Sequence, residues 1–272
     1  MDWLRTVLYG FISGLTEFLP VSSAAHGEMV LKILGADSNQ TMLSLLTQIG
    51  MLAAVLYFCR GQFRSLSRGR NANSRRKRAE NQDSILTLRL FRSTLIPLIV
   101  CYLFAGKAAA FSGRMNIIAI FLVINGIVLF LPELFPAGNK DARSVSGFHS
   151  LVLGLGAGSS IFPGMSCVGT VSSFGSILGL NRQFALEFAF LMTVPVLTLG
   201  IISNVAALIL GGLGTITAAI AVRYLLAAVM AFFGGFCGIS LMRFLSAGTG
   251  YSWFAYYCWG AALFSFILFM TI

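Results

Sequence analysis

Two short polar stretches interrupt an otherwise apolar sequence, and their residue types could bind and cleave a phosphate. The first contains Glu17, Ser22, Ser23 and His26, and Pro20 ends the helix that precedes them. A serine that caps a helix leaves backbone N–H groups at the positive dipole end, which is a ready-made anion site. His26 shares a helix face with Ser22, so a carboxylate, hydroxyls and an imidazole could move protons around a phosphate. A transporter half-helix whose polar groups only satisfy one another is the other interpretation.

The second stretch follows Pro163 and Gly164 and carries small hydroxyl residues. Glycine permits a close backbone approach to a ligand. Helical spacing of i, i+4 and i+7 places three of the hydroxyls on one face: Ser166, Thr170 and Ser173. The pattern predicts a second group of phosphate ligands, and small-residue packing between membrane helices is the alternative.

The composition predicts a helical membrane protein around these stretches. Of the 272 residues, 57% are hydrophobic and 10% are charged, and the mean hydropathy is +0.85. Soluble domains carry about 25% charged residues, so a soluble enzyme, a nucleic-acid-binding domain and a disordered chain are excluded. The five cysteines show no metal-cluster or disulfide spacing. An N-terminal apolar run resembles a signal peptide, but Glu17 and Pro20 interrupt it, which argues against cleavage.

Six apolar segments are long enough to cross a bilayer. They lie near 41–59, 86–106, 115–135, 187–211, 217–242 and 252–271. Two more apolar regions, 4–34 and 148–180, are broken at the polar stretches, and each half is too short to cross. We expect these two regions to form re-entrant helix pairs that meet at proline-containing turns.

The order of these segments predicts an inverted-topology repeat. A broken pair and three spans occur twice, and the odd number of spans makes the second pair enter from the opposite side. The sequence therefore predicts an all-α polytopic membrane protein with one integral membrane domain, 1–272, divided into repeats 1–135 and 136–272. Such repeats commonly build a site near the bilayer midplane.

A cluster of basic residues predicts the orientation. Of the nineteen Lys and Arg residues, eight fall in one stretch: Arg60, Arg64, Arg68, Arg70, Arg75, Arg76, Lys77 and Arg78. The positive-inside rule makes loop 60–85 cytoplasmic and places the N-terminus outside, and contact with anionic lipid is the alternative role of this loop. The same orientation places Lys140, Arg143, Arg182 and Arg243 inside.

Both polar stretches resemble signatures of the bacterial undecaprenyl pyrophosphate phosphatase family, the bacitracin-resistance proteins. The first is Gly14-Leu15-Thr16-Glu17-Phe18-Leu19-Pro20-Val21-Ser22-Ser23 with His26. The second is Phe162-Pro163-Gly164-Met165-Ser166 with Gly169, which is similar to the PGxSRSGxT pattern of the family. Gln48-Ile49-Gly50, Glu187-Phe188-Ala189-Phe190-Leu191 and Val194-Pro195 also fit the family, so the resemblance covers essentially the whole chain.

The resemblance implies an enzyme of the bacterial plasma membrane. It would remove the terminal phosphate of undecaprenyl pyrophosphate, with Mg²⁺ or Ca²⁺, and so recycle the lipid carrier of cell-wall synthesis. Glu17 is expected as metal ligand or base, His26 as acid/base or nucleophile, and Ser166 as nucleophile or phosphate ligand. Ser22, Ser23, Gly164, Thr170 and Ser173 are expected to bind substrate. The expected partners are this lipid, as pyrophosphate or phosphate, and membrane lipids, with a homodimer left open.

The sequence departs from the family pattern at charged positions. Ser13 stands where the family has an acidic residue, Cys167 where it has arginine, and Val168 and Val171 where it has serine and threonine. A guanidinium binds phosphoryl oxygens in a bidentate fashion, which thiol and valine cannot do. Arg223 inside a predicted span could supply a substitute cation, although snorkelling to the interface is the other interpretation. Cys167 could itself be a nucleophile.

These departures leave one functional alternative to hydrolysis. A catalytically degenerate relative that keeps the anion site could bind, transport or flip undecaprenyl phosphate without cleaving it, a role that the inverted repeat would suit.

Overall fold

A computed structural model describes residues 2–35, 40–68, 75–211, 217–246 and 251–271, and the side chains of these except 2, 62–68 and 75–85. Within that part of the chain the structure is helical, with eleven α-helices and short 3₁₀ turns. The helices are α1 (Asp2–Glu17), α2 (Ser23–Leu34), α3 (Gln40–Arg68), α4 (Arg75–Tyr102), α5 (Ala105–Ala108), α6 (Met115–Phe130), α7 (Gly147–Gly158), α8 (Cys167–Ile177), α9 (Arg182–Gly211), α10 (Ala218–Ser246) and α11 (Ser252–Thr271).

Within the described residues, five helical segments are long and apolar enough to cross a membrane, and a sixth span is bent. The five are Gln40–Gly61, Met115–Leu134, Arg182–Gly211, Ala218–Ser246 and Ser252–Thr271. The sixth joins Leu86–Tyr102 to Ala105–Phe111 through a bend of 52°. All six coincide with the predicted spans, which confirms the prediction of an all-α polytopic membrane protein.

Each broken region folds as a helix pair that returns to the side from which it started. In the first pair, Arg5 near the start of α1 lies against Gly35 at the end of α2. In the second pair, the backbone N–H of Lys140, in the segment before α7, donates to Gly179 after α8 over 3.0 Å. The Lys140 ammonium also donates to the carbonyl of Leu178 over 3.0 Å. Both pairs therefore have the re-entrant form that the sequence predicts.

The directions of the long helices are those of an inverted repeat. Gly10 and Gly14 of α1 face Ala227 and Ala231 of α10, so these two helices run parallel. The equivalent contact in the other half is between α7 and α4, and these two helices also run parallel. The two contacts between equivalent helices, α3 with α9 and α6 with α11, are antiparallel. Two halves that are related by a twofold axis and inserted in opposite directions must show this combination of parallel and antiparallel contacts. The division between the halves at residue 135 stays a prediction.

The predicted loop 60–85 is shorter than expected, because α3 continues to Arg68 and α4 begins at Arg75. Arginine, lysine and glutamate have helix propensities close to that of alanine, so both helices extend beyond their apolar parts. The middle of the basic cluster, 69–74, and the side chains of Arg64, Arg68, Arg75, Arg76, Lys77 and Arg78 lie outside the described residues.

Candidate active site

The turns of the two helix pairs meet in the interior of the protein. The backbone N–H of Gly164 donates to the Ser22 hydroxyl over 3.0 Å. The Ser166 hydroxyl donates to the carbonyl of Leu19 over 3.2 Å. Ser22, Leu19 and Ser166 are all buried. Two sequence motifs separated by more than a hundred residues thus form one structural unit.

Each turn contains a residue with a positive backbone φ angle. Ser22 has φ 70°, a left-handed conformation that is uncommon for a residue with a side chain. Its hydroxyl accepts the N–H of Ala25 over 3.4 Å and caps α2. Gly164 has φ +120°, and a Cβ atom there would lie 2.5 Å from the Cβ of Phe121. Strained or glycine-dependent conformations persist where the surroundings over-determine them, as they do at functional sites.

A cavity of about 140 Å³ lies beside the joined turns. One wall is a stripe of α1 with Tyr9, Ser13 and Glu17 at helical spacing. The first residues of α2 and of α8 form another wall, and polar residues of α3 face them across the cavity. Tyr102 of α4 and three residues of α9 complete the lining.

Glu17 is the only charged residue among those that line the cavity in the described part of the chain. Ser23 lines the same cavity. Two helices begin at the same cavity, α2 at Ser23 and α8 at Cys167. Each helix N-terminus carries roughly half a positive charge on its backbone N–H groups. The helix ends can bind a phosphate, and the acidic side chain in the same lining can hold a cation or exchange a proton with the bound group.

The structure brings three of the predicted site residues to this cavity: Glu17, Ser23 and Ser166. Ser166 caps α8, since its hydroxyl accepts the N–H of Gly169 over 3.2 Å. Cys167 follows it, lines the cavity and is only 4% exposed. Ser13, which replaces the acidic residue of the family pattern, lines the cavity as well.

Four predicted substrate ligands are not among the lining residues. Ser22 and Gly164 bond each other, as described above, and so join the turns. The Thr170 hydroxyl donates to the carbonyls of Gly156 over 2.7 Å and of Ser166 over 2.8 Å, which secures α8 against α7. The Ser173 hydroxyl is buried and has no hydrogen-bond partner in the described structure. Their direct contact with substrate stays a prediction, and their observed contacts are structural.

His26 is not among the residues that line the cavity, and its ring contacts α11 instead. Its Nδ1 atom lies 2.8 Å from the carbonyl oxygen of Ser22 and must carry the proton, since a carbonyl only accepts. Its Nε2 atom lies 2.8 Å from the hydroxyl of Tyr257, and the two rings stack at 5.7 Å. In this arrangement His26 supports the Ser22 turn. Its role as acid/base or nucleophile stays a prediction.

The cavity also contains residues that the motifs did not indicate. Tyr9 lines it two helical turns before Glu17, and the i, i+4, i+8 spacing of Tyr9, Ser13 and Glu17 was the available signal. Gln48 lines it from α3, and its amide oxygen accepts the Asn204 side-chain N–H over 3.0 Å. Tyr102 lines it too and donates to the carbonyl of Val196 over 3.1 Å. The last two contacts join distant helices, which no local spacing reveals.

The cavity offers oxygen donors for a hard cation but not a complete protein cage. Among the described side chains, no three His, Cys, Asp or Glu residues come together. The donors at the cavity are one carboxylate, several hydroxyls and the Gln48 amide. Mg²⁺ is often bound by one or two carboxylates together with the phosphates of the substrate, and this donor set fits that mode. Arg223 is not among the residues that line the cavity.

Comparison with known proteins identifies the family of the chain. The profile of the family described as bacitracin resistance protein BacA matches residues 6–264. An undecaprenyl-diphosphatase of Methanobrevibacter smithii is 31% identical over 95% of each chain. An undecaprenyl-diphosphatase of Thermosipho melanesiensis is 27% identical over 96% of this chain and 98% of its own. Undecaprenyl-diphosphatase 1 of Shouchella clausii is 28% identical over 98% and 96%. The chain therefore belongs to the bacitracin resistance protein BacA family.

Proposed function

We propose that this protein hydrolyses undecaprenyl pyrophosphate to undecaprenyl phosphate and inorganic phosphate. The observation that carries the proposal is the cavity that Glu17 lines together with the N-termini of α2 and α8. The similar proteins named undecaprenyl-diphosphatase support the choice of substrate.

The two helix ends account for phosphate binding without the arginine of the family pattern. Each N-terminus contributes about half a positive charge without loss of side-chain entropy, and the negative C-terminal end of α1 at Glu17 offsets part of it. Broken helices in inverted repeats commonly direct such N-termini at anionic groups. Cys167 stands at the first turn of α8, so the backbone there, and not its side chain, provides the positive potential.

Glu17 and Ser166 carry the chemistry in this proposal. Glu17 accepts a proton from the attacking hydroxyl, or holds the cation, and either role needs the carboxylate that faces the cavity. Ser166 supplies a hydroxyl at the start of α8, as nucleophile or as phosphate ligand. His26 acts in proton transfer only if its ring leaves Tyr257. In the observed contact it holds the turn that bears Ser22.

A divalent cation, Mg²⁺ or Ca²⁺, would be held by Glu17 with help from the hydroxyls of Ser13 and Ser23. When bound, the cation would neutralise charge on the pyrophosphate oxygens. The residues of the chain orient the lipid pyrophosphate and restrict the entry of water, and Glu17 holds the proton in the alternative in which it does not bind the cation.

The proposed orientation places the basic ends of α3 and α4 in the cytoplasm of a bacterial cell, with the protein in the plasma membrane. The cavity then lies toward the outer side, because Ser44 lines it about one turn after the start of α3. The substrate would enter from the outer leaflet. A homodimer stays a prediction.

Phosphate release from undecaprenyl pyrophosphate by the purified protein tests the proposal. We expect release with Mg²⁺ or Ca²⁺, and a loss of at least about a hundredfold in Ser166→Ala. Thr193→Val is the matched control, because its hydroxyl is buried in α9 and bonds the Phe190 carbonyl over 2.7 Å. No release by the wild-type protein, with either cation, would refute the proposed activity.

A further inference from the structure

Asn125 is a buried polar side chain that neither signature contains and that does not line the cavity. It lies in the middle of α6, and none of its surface is exposed. A polar amide in a membrane interior is costly unless its groups are hydrogen-bonded, so such residues mark functional positions.

The Asn125 amide bonds both turns of the candidate site at once. Its Nδ2 atom donates to the carbonyl of Pro20 in the first turn over 2.9 Å. Its Oδ1 atom accepts the backbone N–H of Ser166 in the second turn over 3.0 Å. The remaining Nδ2 hydrogen reaches the Cys258 sulfur of α11 at 3.3 Å. The side chain thus uses both of its donors and its acceptor.

These contacts determine where Ser166 lies relative to Glu17. Glu17 ends α1 just before the turn that contains Pro20, and Ser166 begins α8. The other contacts of Ser166 are with Leu19 of the same first turn and with Gly169. Among the described contacts, Asn125 is the side chain from outside the two turns that bonds both of them.

We propose that Asn125 is a positioning residue, which holds the Ser166 hydroxyl in register with the Glu17 carboxylate for hydrolysis. The proposal rests on the proposed function, but its structural part stands on the hydrogen bonds alone. The chemistry requires asparagine at this position. An ionised aspartate would set a second acceptor against the Pro20 carbonyl, and a protonated one would offer a single donor in place of the two amide hydrogens. Leucine would lose both bonds, and glutamine would be longer by one methylene.

The consequence expected is a loss of turnover and not of substrate binding. The cavity walls and the two helix N-termini remain when Asn125 is changed, so the pyrophosphate should bind almost as well. A displacement of about 1 Å between reacting groups costs on the order of a hundredfold in rate. We therefore expect Asn125→Asp and Asn125→Leu to lower kcat about a hundredfold and to change KM less than about threefold.

Two matched variants separate positioning from general loss of packing. Ser265→Ala removes another fully buried hydrogen bond between α11 and α6, from the Ser265 hydroxyl to the Met115 carbonyl, far along the helices from the turns. Cys258→Ala removes the sulfur contact of Asn125 and the weak Cys258 contact with the Pro20 carbonyl at 3.8 Å, but leaves the two Asn125 bonds to the turns. Both should keep kcat within about threefold of wild type, because neither bond bears on Ser166.

A second measurement needs no catalysis. Cys167 follows Ser166 and lines the cavity. The rate at which a small maleimide alkylates Cys167 therefore reports the position of that turn. Mass spectrometry of the peptides separates this rate from those of the other cysteines. We expect Asn125→Asp to change this rate at least about fivefold and Ser265→Ala to leave it unchanged. If the wild-type protein releases no phosphate, the proposed function fails, and this rate still decides the positioning role.

The proposal is supported if both Asn125 variants lose kcat, keep KM and change the labelling of Cys167, while Ser265→Ala does none of these. It is overturned if Asn125→Asp keeps the wild-type kcat, or if its Cys167 labelling rate equals that of the wild type. Should Asn125→Leu fail to fold, as judged by gel filtration in detergent, Asn125→Asp decides alone, because it has the same shape.

Discussion

Replacing Glu17 by glutamine should abolish most of the phosphate release while leaving the fold intact. Glutamine has the same shape as glutamate and stays polar in the same cavity lining, so the thermal unfolding temperature should stay near that of wild type. The cavity would lose its only charged side chain among the described lining residues. General acid–base catalysis contributes about 10²–10⁴ in rate, which corresponds to about 3–5 kcal/mol of activation free energy.

The assay is the initial rate of phosphate release from undecaprenyl pyrophosphate in detergent micelles, over a range of Mg²⁺ concentrations. Glu17→Asp keeps the charge but shortens the side chain, so its rate should fall between those of wild type and Glu17→Gln. Glu133→Gln is the matched control, because Glu133 forms a partly exposed ion pair with Arg182 at 3.6 Å. Exposed pairs contribute about 0–1 kcal/mol, so this variant should behave as wild type.

The reasoning is refuted if Glu17→Gln keeps more than about a third of the wild-type rate at the lowest Mg²⁺ concentration that saturates the wild-type protein, since an amide could not replace a carboxylate in either proposed role under that condition. A normal rate at raised Mg²⁺ would show that Glu17 binds the cation and does not transfer the proton.

Three further predictions follow from the packing and charge of the site. Gly164→Ala should lower the free energy of unfolding by about 2–4 kcal/mol, because the added methyl group overpacks against Phe121 and alanine disfavours a positive φ. Thermal unfolding measures this loss. Gly260→Ala is the control, because a Cβ atom at Gly260 meets nothing within 4 Å. Arg223→Gln should keep phosphate release within about twofold of wild type, because Arg223 does not line the cavity, and a loss of activity would mean that it supplies the missing cation. Cys167→Arg should lower KM for the pyrophosphate about tenfold by adding a guanidinium, and an unchanged KM would show that the helix ends already suffice.

The amino-acid sequence predicted the architecture well because membrane helices carry strong local signals. Six long apolar segments and two broken ones were sufficient to infer the re-entrant pairs and their inverted arrangement. The predicted end of α3 and the predicted start of α4 were wrong, because polar residues such as those near Arg75 extend a helix beyond its apolar part.

The candidate site was predicted only in part, since motif membership does not tell which way a side chain points. Glu17 and Ser166 line the cavity as expected, whereas His26 on α2 faces Tyr257 of α11. Asn125 was missed because its partners, Pro20 and Ser166, are distant in sequence. Hydrogen bonds of that kind depend on tertiary packing and leave no periodic pattern along the chain.

The central claim is that this cavity cleaves one phosphate from a lipid pyrophosphate although no arginine lines it in the described structure. The most direct test is mass spectrometry of the lipid during incubation of undecaprenyl pyrophosphate with the purified protein and Mg²⁺. The account predicts that undecaprenyl phosphate accumulates as fast as the pyrophosphate disappears, with one inorganic phosphate released per lipid. Unchanged pyrophosphate in the presence of folded protein would contradict it.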